Sequence, residues 1–382
     1  MKHIYLDYNA TTPLDPLVLE EMHPYFSSDY GNPSSIHSFG NKAKSALDVS
    51  RDRLAALVNA RPKEITFTAG GSESNNFAIK GIAYALRDKG NHLITTSVEH
   101  ASCLETFSHL ESEGFEVTYL GVDSNGLVDL NQLEDSIGDK TTLISCIYAN
   151  NETGVINPVK SISEIAGEKG VLFHTDAVQA LGKIKTDLKE LNVDLASFSS
   201  HKIYGPKGVG ALYIKMGVNP VCLLHGGGQE RGKRSGTENV PGIAGFGKAA
   251  ELVKSSFDEE TTRISGLRDL LEKGILENIE GIGINGEVQD KLPNTLNISF
   301  EGIEGESLVM NLDMEGIAVS TGSACSEGNV EPSHVLLAMG QTTKEAVSSL
   351  RLSIGRFTTK EEIEIFLDKL PGIAERIRNT RL

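Results

Sequence analysis

The fold of this 382-residue chain is indicated first by one stretch, Ser199-Ser200-His201-Lys202-Ile203-Tyr204-Gly205-Pro206-Lys207-Gly208-Val209-Gly210. An apolar run over 195–198 leads into it, and a second run over 209–214 follows its loop of glycine and proline, so both runs predict strands. Lys202 therefore stands at the end of a strand, where a side chain has room to change partners. A lysine that is desolvated there has a lowered pKa and forms Schiff bases readily. Taken alone, a single lysine is more often a solvated surface residue.

Short β-branched runs alternate with helical patterns through much of the chain. Strands and helices that alternate in this way predict βαβ units and a mostly parallel sheet that is covered on both faces. We expect this α/β domain to occupy residues 15–257. Its further strands are predicted over 65–68, 92–96, 115–120, 143–148 and 171–174, and its first helices over 41–58 and 72–89.

The pattern changes at 255–260, a polar and acidic stretch. With an N-terminal strand over 4–8, the elements beyond this stretch predict a smaller α+β domain of residues 1–14 and 258–382. These elements are helices over 262–278, near 306–314 and from Lys360, and strands over 295–300, 317–320 and 350–354.

The composition is that of a globular protein with a substantial core, since 39% of the residues are hydrophobic and 23% are charged. A net charge of −16 argues against nucleic acid as a partner, because phosphate binding requires a basic surface. No apolar run reaches the ~18 residues of a membrane span, and residues 1–10 lack the apolar core of a secretory signal. The four cysteines form no CxxC pair, so metal-finger spacing is absent and a reducing cytoplasm is expected.

A stretch rich in glycine and serine, Ala69-Gly70-Gly71-Ser72-Glu73-Ser74-Asn75-Asn76, joins a predicted strand to a predicted helix. Backbone N–H groups at such a junction bind anions, and the helix N-terminus adds partial positive charge. Gly71 and Ser72 are therefore candidates for a phosphate site, although the stretch lacks both nucleotide-binding fingerprints. Ser72 as an ordinary helix N-cap is an equally good interpretation.

Three more polar motifs follow predicted strands. Asp176 and Gln179 come after 171–174, His100 comes after 92–96, and Asn151 comes after 143–148. Because open α/β sheets bind ligands at the carboxyl ends of their strands, we expect these side chains to converge. Asp176 suits a cationic ring nitrogen, Gln179 suits an oxygen, and His100 suits stacking and proton transfer. Each is also explained, in isolation, as a cap or a turn former.

Cys325 lies in a run of small and polar residues, Ser320-Thr321-Gly322-Ser323-Ala324-Cys325-Ser326-Glu327-Gly328-Asn329, that has no apolar periodicity. Such a loop favours a reactive thiol over a buried structural cysteine. Arg351 and Arg356 follow in the next strand region, and a guanidinium is a natural bidentate partner for a carboxylate. Either arginine also suits a structural salt bridge.

A Schiff-base lysine, a phosphate site, an acid for a ring nitrogen and a stacking histidine together describe a site for pyridoxal phosphate. The lysine motif resembles that of the NifS/IscS cysteine desulfurases, the long-cysteine-loop group of the class-V aminotransferase family. The resemblance extends essentially from end to end. It is carried further by Leu6-Asp7-Tyr8-Asn9-Ala10-Thr11-Thr12, Gly31-Asn32-Pro33-Ser34-Ser35, His225-Gly226-Gly227-Gly228-Gln229-Glu230-Arg231, Arg234-Ser235-Gly236-Thr237, Gly322-Ser323-Ala324-Cys325 and Glu331-Pro332-Ser333-His334.

This resemblance implies the aspartate-aminotransferase-like fold type I, with a mostly parallel seven-stranded sheet, and an obligate homodimer with its sites at the interface. It implies that Lys202 holds pyridoxal phosphate, that Asp176 pairs with the ring nitrogen and that His100 stacks on the ring. Arg351, rather than Arg356, would bind the substrate carboxylate. The remaining implied contacts are Gln179 and Asn151 to the ring oxygen or substrate, and Gly71, Ser72, Ser199, His201 and a second subunit's Thr237 to the phosphate.

The resemblance also implies the reaction. L-Cysteine would lose its sulfur to Cys325 as a persulfide and leave as L-alanine, with His100 as the group that activates the thiol. The cysteine loop, about 321–333, would carry the sulfur to an acceptor protein for iron–sulfur cluster assembly or other sulfur-containing biomolecules. Since the chain stops at Leu382, without the extended tail of the housekeeping IscS type, a NifS-like role is expected.

Three alternatives stay open. Two are enzymes of the same fold type, a selenocysteine lyase and another pyridoxal phosphate enzyme such as an aminotransferase, neither of which requires the nucleophilic Cys325. The third is a non-catalytic sulfur carrier or iron–sulfur scaffold, in which Cys325 would be a cluster ligand; no other metal site is expected. Lys202 and Asp176 argue against a scaffold, because it has no use for a Schiff base.

Overall fold

The computed structural model describes residues 3–322 and 331–380 of the chain. Its helices are α1 (Pro16–Met22), α2 (Ser38–Leu57), α3 (Gly71–Ala85), α4 (Ala101–Ser112), α5 (Leu130–Ser136), α6 (Val159–Lys169), α7 (Leu188–Leu191), α8 (Val240–Asn278), α9 (Gly305–Met314), α10 (His334–Ala338), α11 (Thr343–Ala346) and α12 (Lys360–Thr380). Its strands are β1 (Ile4–Tyr5), β2 (Ile65–Thr68), β3 (His92–Thr96), β4 (Glu116–Leu120), β5 (Thr141–Ile147), β6 (Leu172–Asp176), β7 (Leu195–Ser199), β8 (Gly210–Ile214), β9 (Ile282–Ile284), β10 (Thr295–Phe300), β11 (Ile317–Ala318) and β12 (Ser349–Ser353).

The largest sheet has seven strands in the order β2-β8-β7-β6-β5-β3-β4. Strand β8 runs antiparallel to β2 and β7, and the other neighbours are parallel. The mostly parallel seven-stranded sheet predicted from the sequence is therefore confirmed. Among the residues that the structure describes, no helix is both long enough and apolar enough to cross a membrane.

Both faces of this sheet are buried, which explains why its central strands are apolar throughout. Every residue of β5, β7 and β8 is buried. Consecutive residues of one strand belong to different hydrophobic clusters. Ile144 of β5 and Ala196 of β7 lie in one cluster, and Leu143 and Leu195, which precede them, lie in another. Since successive side chains of a strand point to opposite faces, the two clusters lie on the two sides of the sheet.

A separate hydrophobic cluster unites the beginning of the chain with its last third. Ile4 and Leu6 pack there with residues that extend from Ile264 to Ile377. The same region holds an antiparallel sheet in the order β12-β10-β9 and the parallel pair β1-β11. The division into residues 15–257 on one side and 1–14 with 258–382 on the other stays a prediction.

The sequence suggested that the helical pattern is interrupted at the polar stretch over 255–260, but the structure shows no interruption there. The stretch lies inside the 39-residue helix α8, which begins at Val240 and not near Thr262. The hydroxyl groups of Ser255 and Ser256 both donate to the carbonyl of Leu252, so the helix itself satisfies these polar side chains. Helix α3 is also shorter than predicted, since it ends at Ala85 and a turn leads to Gly90.

Candidate active site

A cavity of about 360 Å³ opens at the carboxyl ends of β5, β6 and β7. Parallel neighbours in exact register bring Ile147, Asp176 and Ser197 side by side at this edge. The cavity brings together all the predicted site residues except Thr237 and Cys325. Those that line it are Gly71, Ser72, His100, Asn151, Asp176, Gln179, Ser199, His201, Lys202 and Arg351.

Lys202 ends a single turn of 3₁₀ helix, Ser200–Lys202, directly after β7. Its Nζ donates to the main-chain oxygens of Asn9 at 2.5 Å and Ala10 at 2.8 Å. Burial, reinforced by the positive charge of Arg351, lowers the pKa of Lys202 to about 8. A larger fraction of this amine is therefore unprotonated near neutral pH than for an ordinary lysine, and an unprotonated amine is the nucleophilic form.

Asp176 is the last residue of β6 and is only 4% exposed. Its Oδ2 accepts a hydrogen bond of 2.7 Å from Nδ2 of Asn75, and its Oδ1 accepts one of 3.0 Å from the backbone N–H of Val178. The sequence reasoning missed Asn75, although its position in the first turns of α3, after the glycine pair, was a usable signal. The carboxylate is thus fixed in place by neutral donors, with no cation hydrogen-bonded to it in the described part of the chain.

His100 caps helix α4, since its Nδ1 accepts from the backbone N–H of Ser102 at 3.1 Å. Desolvation lowers the pKa of His100, although the nearby Asp176 opposes the shift, so the ring is neutral at neutral pH. The same Nδ1 lies 2.8 Å from Oγ of Ser102, and that hydroxyl accepts from Nδ2 of Asn75 at 2.9 Å. A hydrogen-bonded chain therefore runs from Asp176 through Asn75 and Ser102 to His100.

The Ser102 hydroxyl leaves both neutral forms of the His100 ring accessible. With Nδ1 as acceptor, the cap is intact and the proton is carried by Nε2. With the proton on Nδ1, the serine oxygen accepts it and Nε2 becomes free to accept a proton. The two interpretations of His100 therefore use different tautomers: the helix cap needs Nδ1 as an acceptor, and proton uptake at Nε2 needs the proton on Nδ1.

The phosphate side of the cavity is formed by the start of α3 and the residues after β7. Helix α3 begins at Gly71 with Gly70 as its N-cap, so the interpretation of Ser72 as the N-cap is wrong. Ser72 is exposed at the cavity, and a Cβ on Gly71 would lie 2.8 Å from a methyl group of Val178. Burial and the neighbouring lysine charges lower the pKa of His201 to about 4, which keeps its ring neutral.

The two arginines near β12 have different surroundings. Arg351 is 5% exposed, forms an ion pair of 2.7 Å with Asp7 and donates to the main-chain oxygen of Asn151 at 3.1 Å. Arg356 lies outside the cavity lining, where it pairs with Asp15 at 2.7 Å and Glu260 at 2.8 Å. This placement agrees with the choice of Arg351 over Arg356, and the binding of a carboxylate by Arg351 stays a prediction.

Two predicted residues do not line the cavity. Thr237 is exposed, away from the cavity of its own chain, and its contribution to a second subunit's site stays a prediction. Cys325 lies outside the described residues, which end at Gly322 and resume at Glu331. Asn9 and Lys183, which the sequence reasoning did not select, hold the lining residues Lys202 and Gln179 by hydrogen bonds.

The model of the family described as aminotransferase class-V matches residues 4–366. The chain therefore belongs to the class-V aminotransferase family, as its motifs predicted.

Within that family, the similar proteins include several named cysteine desulfurase. A Clostridium botulinum protein named cysteine desulfurase IscS is 52% identical over 379 residues, which are 99% of this chain and 96% of that protein. A solved structure titled NifS-like protein has a TM-score of 0.93 and 41% identity, and the match covers 98% of this chain and 100% of that one. A structure titled SspA in complex with cysteine has a TM-score of 0.83 and 39% identity, over 93% of this chain and 100% of that one. The chain groups with these enzymes and depends, as they do, on pyridoxal phosphate.

The residues of the cavity fit that cofactor. The volume is within the range of small-molecule sites, about 300–1,000 Å³. A lysine of lowered pKa and a buried carboxylate face the same space, and the N-terminus of the 15-residue helix α3 supplies backbone donors for a phosphate. A side chain at Gly71 would clash with Val178, which lines the same cavity.

Proposed function

We propose that this chain removes the sulfur of L-cysteine, releases L-alanine and holds the sulfur as a persulfide on Cys325. The observation that carries the proposal is the convergence of Lys202, Asp176 and Arg351 on one cavity. An amine of lowered pKa, a buried acid and a guanidinium together match the aldehyde, the ring nitrogen and the amino acid carboxylate of such a reaction. The relative solved with cysteine supports L-cysteine as the substrate.

Each residue has a role that follows from its surroundings. Lys202 would attach pyridoxal phosphate, and Asp176, fixed by Asn75, would keep the ring nitrogen protonated. The phosphate would be held by Gly71, Ser72, Ser199, His201 and a second subunit's Thr237. The ring and its oxygen would be contacted by His100, Gln179 and Asn151.

Pyridoxal phosphate, when bound, supplies an acceptor for the electron pair that a broken bond leaves at Cα. Lys202 is the group that removes the Cα proton, because its pKa of about 8 lets it exist as a free amine near neutral pH. Arg351 orients the substrate through its carboxylate, and the ion pair with Asp7 holds the guanidinium in place. Lys202 and Arg351 thus have different roles in the cavity, one as the base and the other in orienting the substrate.

The sulfur leaves the substrate by attack of the Cys325 thiolate. A new S–S bond forms as the substrate's Cβ–S bond breaks, and the electron pair of that bond stays with the carbon. Cβ takes up a proton in place of the sulfur, and Cα regains the proton that Lys202 removed, which gives L-alanine. A thiol needs a base near pH 7. The neutral His100 ring accepts the thiol proton at Nε2 when Nδ1 carries the ring proton and donates it in a hydrogen bond to Oγ of Ser102. His100 then returns that proton in a later step.

A homodimer is supported by apolar side chains that the isolated chain leaves exposed. Tyr30 is 69% exposed, Ile36 is 96% exposed, and the rings of Tyr30 and Phe39 are in contact at 5.7 Å. Contiguous exposed apolar residues mark an interface. The exposed Thr237 fits a contact to a second subunit.

The sulfur acceptor follows from the chemistry of a persulfide, and the location follows from the free cysteines. We propose a scaffold for iron–sulfur clusters or another sulfur carrier as the acceptor, because a persulfide must be handed to a thiol to complete a cycle. A cytoplasmic location agrees with Cys103 and Cys146, which are free and buried.

The test is the release of L-alanine and sulfide from L-cysteine by wild type, Cys325→Ala and the matched control Cys222→Ala, with and without a reductant. We expect alanine formation to require Cys325 and not Cys222, with a persulfide mass shift on Cys325 alone. Alanine formation that survives Cys325→Ala would overturn the nucleophile and favour a lyase. A chain that retains no pyridoxal phosphate and forms no product would favour the scaffold.

A further inference from the structure

A second lysine, Lys183, lies behind the wall of the active-site cavity. It follows Gln179 by four residues, and its Nζ donates to Oε1 of Gln179 and, at 3.0 Å, to Oδ1 of Asn9. Burial and the positive charges of Lys202 and Arg351 hold the pKa of Lys183 well below its usual value. In the described part of the chain its Nζ has these amide oxygens, and no carboxylate, as hydrogen-bond partners. An amine that is desolvated without a compensating acid costs free energy.

Asn9 connects Lys183 to Lys202. The main-chain oxygen of Asn9 accepts from Nζ of Lys202 at 2.5 Å and from Nε2 of Gln179 at 3.0 Å. Its side-chain Oδ1 accepts from Lys183 and from Nδ2 of Asn294, both at 3.0 Å. Asn9 is 1% exposed, and its bonds with Gln179 and Asn294 are buried. Lys183 therefore supports the residue that holds Lys202.

Lys183 and Asn9 also select one orientation of the Gln179 amide. A carbonyl oxygen only accepts, so Asn9 requires the Nε2 end of Gln179, and the donating Lys183 takes the Oε1 end. A turned amide would place two oxygens against each other and two donors against each other. One N–H of Nε2 is left over, and Gln179 lines the cavity, so this N–H is available to a ligand.

Lys183 acts without touching the contents of the main cavity. It is absent from that lining and instead borders a second cavity, of about 30 Å³, on the other side of Lys202. A space of that size holds one or two water molecules, so it has no room for a substrate.

We propose that Lys183 is a positioning residue: it keeps an N–H of Gln179 directed at the cofactor and holds Asn9 against Lys202. This inference rests on the proposed function, because it takes Gln179 to contact pyridoxal phosphate.

The test is a double-mutant cycle of Lys183→Met and Gln179→Leu, read as the dissociation constant of pyridoxal phosphate from each holoenzyme by equilibrium dialysis and absorbance. Each single change is expected to raise the constant about tenfold, and the double change by no more than the larger single effect. The matched control is Lys185→Met, whose lysine side chain is 74% exposed and which should leave the constant unchanged. If the methionine variant does not accumulate, Lys183→Leu takes its place in the cycle; Lys183→Gln, which keeps an N–H donor, should retain most of the wild-type affinity.

Two results would overturn the inference alone: effects that multiply to about a hundredfold in the double variant, or an unchanged constant in Lys183→Met even with a lowered Tm. A wild-type chain that binds no pyridoxal phosphate would instead overturn the proposed function, and the inference with it.

Discussion

The two walls of the active-site cavity are held in place in different ways. On one wall, Asp176 and His100 are held by the large sheet and its helices. The backbone N–H groups of Val178 and Ser102, each two residues along the chain, donate to them, and Asn75 donates to Asp176 from the start of α3. On the other wall, Arg351 and Asn9 depend on partners far away in the sequence. The ion pair of Arg351 with Asp7 and the bond from Asn9 to Ser353 each join residues 344 positions apart.

This difference separates local from global requirements for function. The strand-end wall carries the groups proposed to meet the cofactor ring, and it forms when the parallel sheet forms. The other wall carries the group proposed to meet the substrate carboxylate, and it forms only when the N-terminal segment, β10 and β12 come together. Cofactor binding and substrate binding should therefore respond differently to mutations on the two walls.

The largest effect is expected from Lys202→Ala on the strand-end wall. The variant should lose cysteine-dependent alanine formation below detection and retain little pyridoxal phosphate, because it has neither the attachment point nor the base. Activity and cofactor absorbance check this, with the exposed Lys185→Ala as the control. Alanine formation above a tenth of the wild-type rate would contradict the role of Lys202.

Asp176→Asn should give the next largest effect. The substitution removes the charge, and because an amide has one acceptor oxygen it keeps only one of the two bonds that Asn75 and the backbone of Val178 donate. We expect kcat to fall by roughly 10²–10³-fold, as when one preorganised electrostatic group is lost, and Tm to fall because one donor loses its partner. Steady-state kinetics and a thermal scan test this, and a kcat within threefold of wild type would show that the carboxylate charge is not needed.

The same difference decides what the sequence could reveal. The parallel sheet, and Lys202, Asp176 and His100 at its edge, were predictable because strand period and strand-end position are local signals. Asn9 and Lys183 were not, because their roles exist only through distant partners that the fold brings close: Thr295 for Asn9, and Asn9 for Lys183.

Two interpretations that were based on local polar residues were wrong. Ser72 resembled an N-cap, but Gly70 takes that position. The polar stretch over 255–260 predicted a change of pattern, yet α8 continues through it, because the hydroxyl groups of Ser255 and Ser256 donate to the carbonyl of Leu252 in the preceding turn.

Glu99, which accepts from the backbone N–H of the lining residue Ile147, gives the strand-end wall a pH dependence. It is 1% exposed, and burial raises its pKa from 4.5 to about 8. Between those values the unfolded carboxyl is ionised and the folded one is protonated, so its contribution to the free energy of unfolding falls as the pH rises.

Glu99→Gln should remove that slope and keep an acceptor for Thr96 and the backbone of Ile147. The variant should gain about 1 kcal/mol relative to wild type for each pH unit between 5 and 8, as measured by urea unfolding. Stability curves that stay parallel over this range would contradict the buried, protonated carboxyl.

The smallest expected effect compares the two arginines directly. Arg351→Lys keeps a positive charge beside Asp7 but loses the planar pair of donors, so KM for L-cysteine should rise about tenfold while kcat changes little. Arg356→Lys is the matched control, because its guanidinium pairs with Asp15 and Glu260 and lies 4.5 Å from the Tyr204 ring centre, outside the cavity. That variant should keep the wild-type KM and lower Tm. Equal changes in KM for both variants would mean that the two arginines act only by stabilising the fold. The wall that holds Arg351 would then have no separate role in binding the substrate.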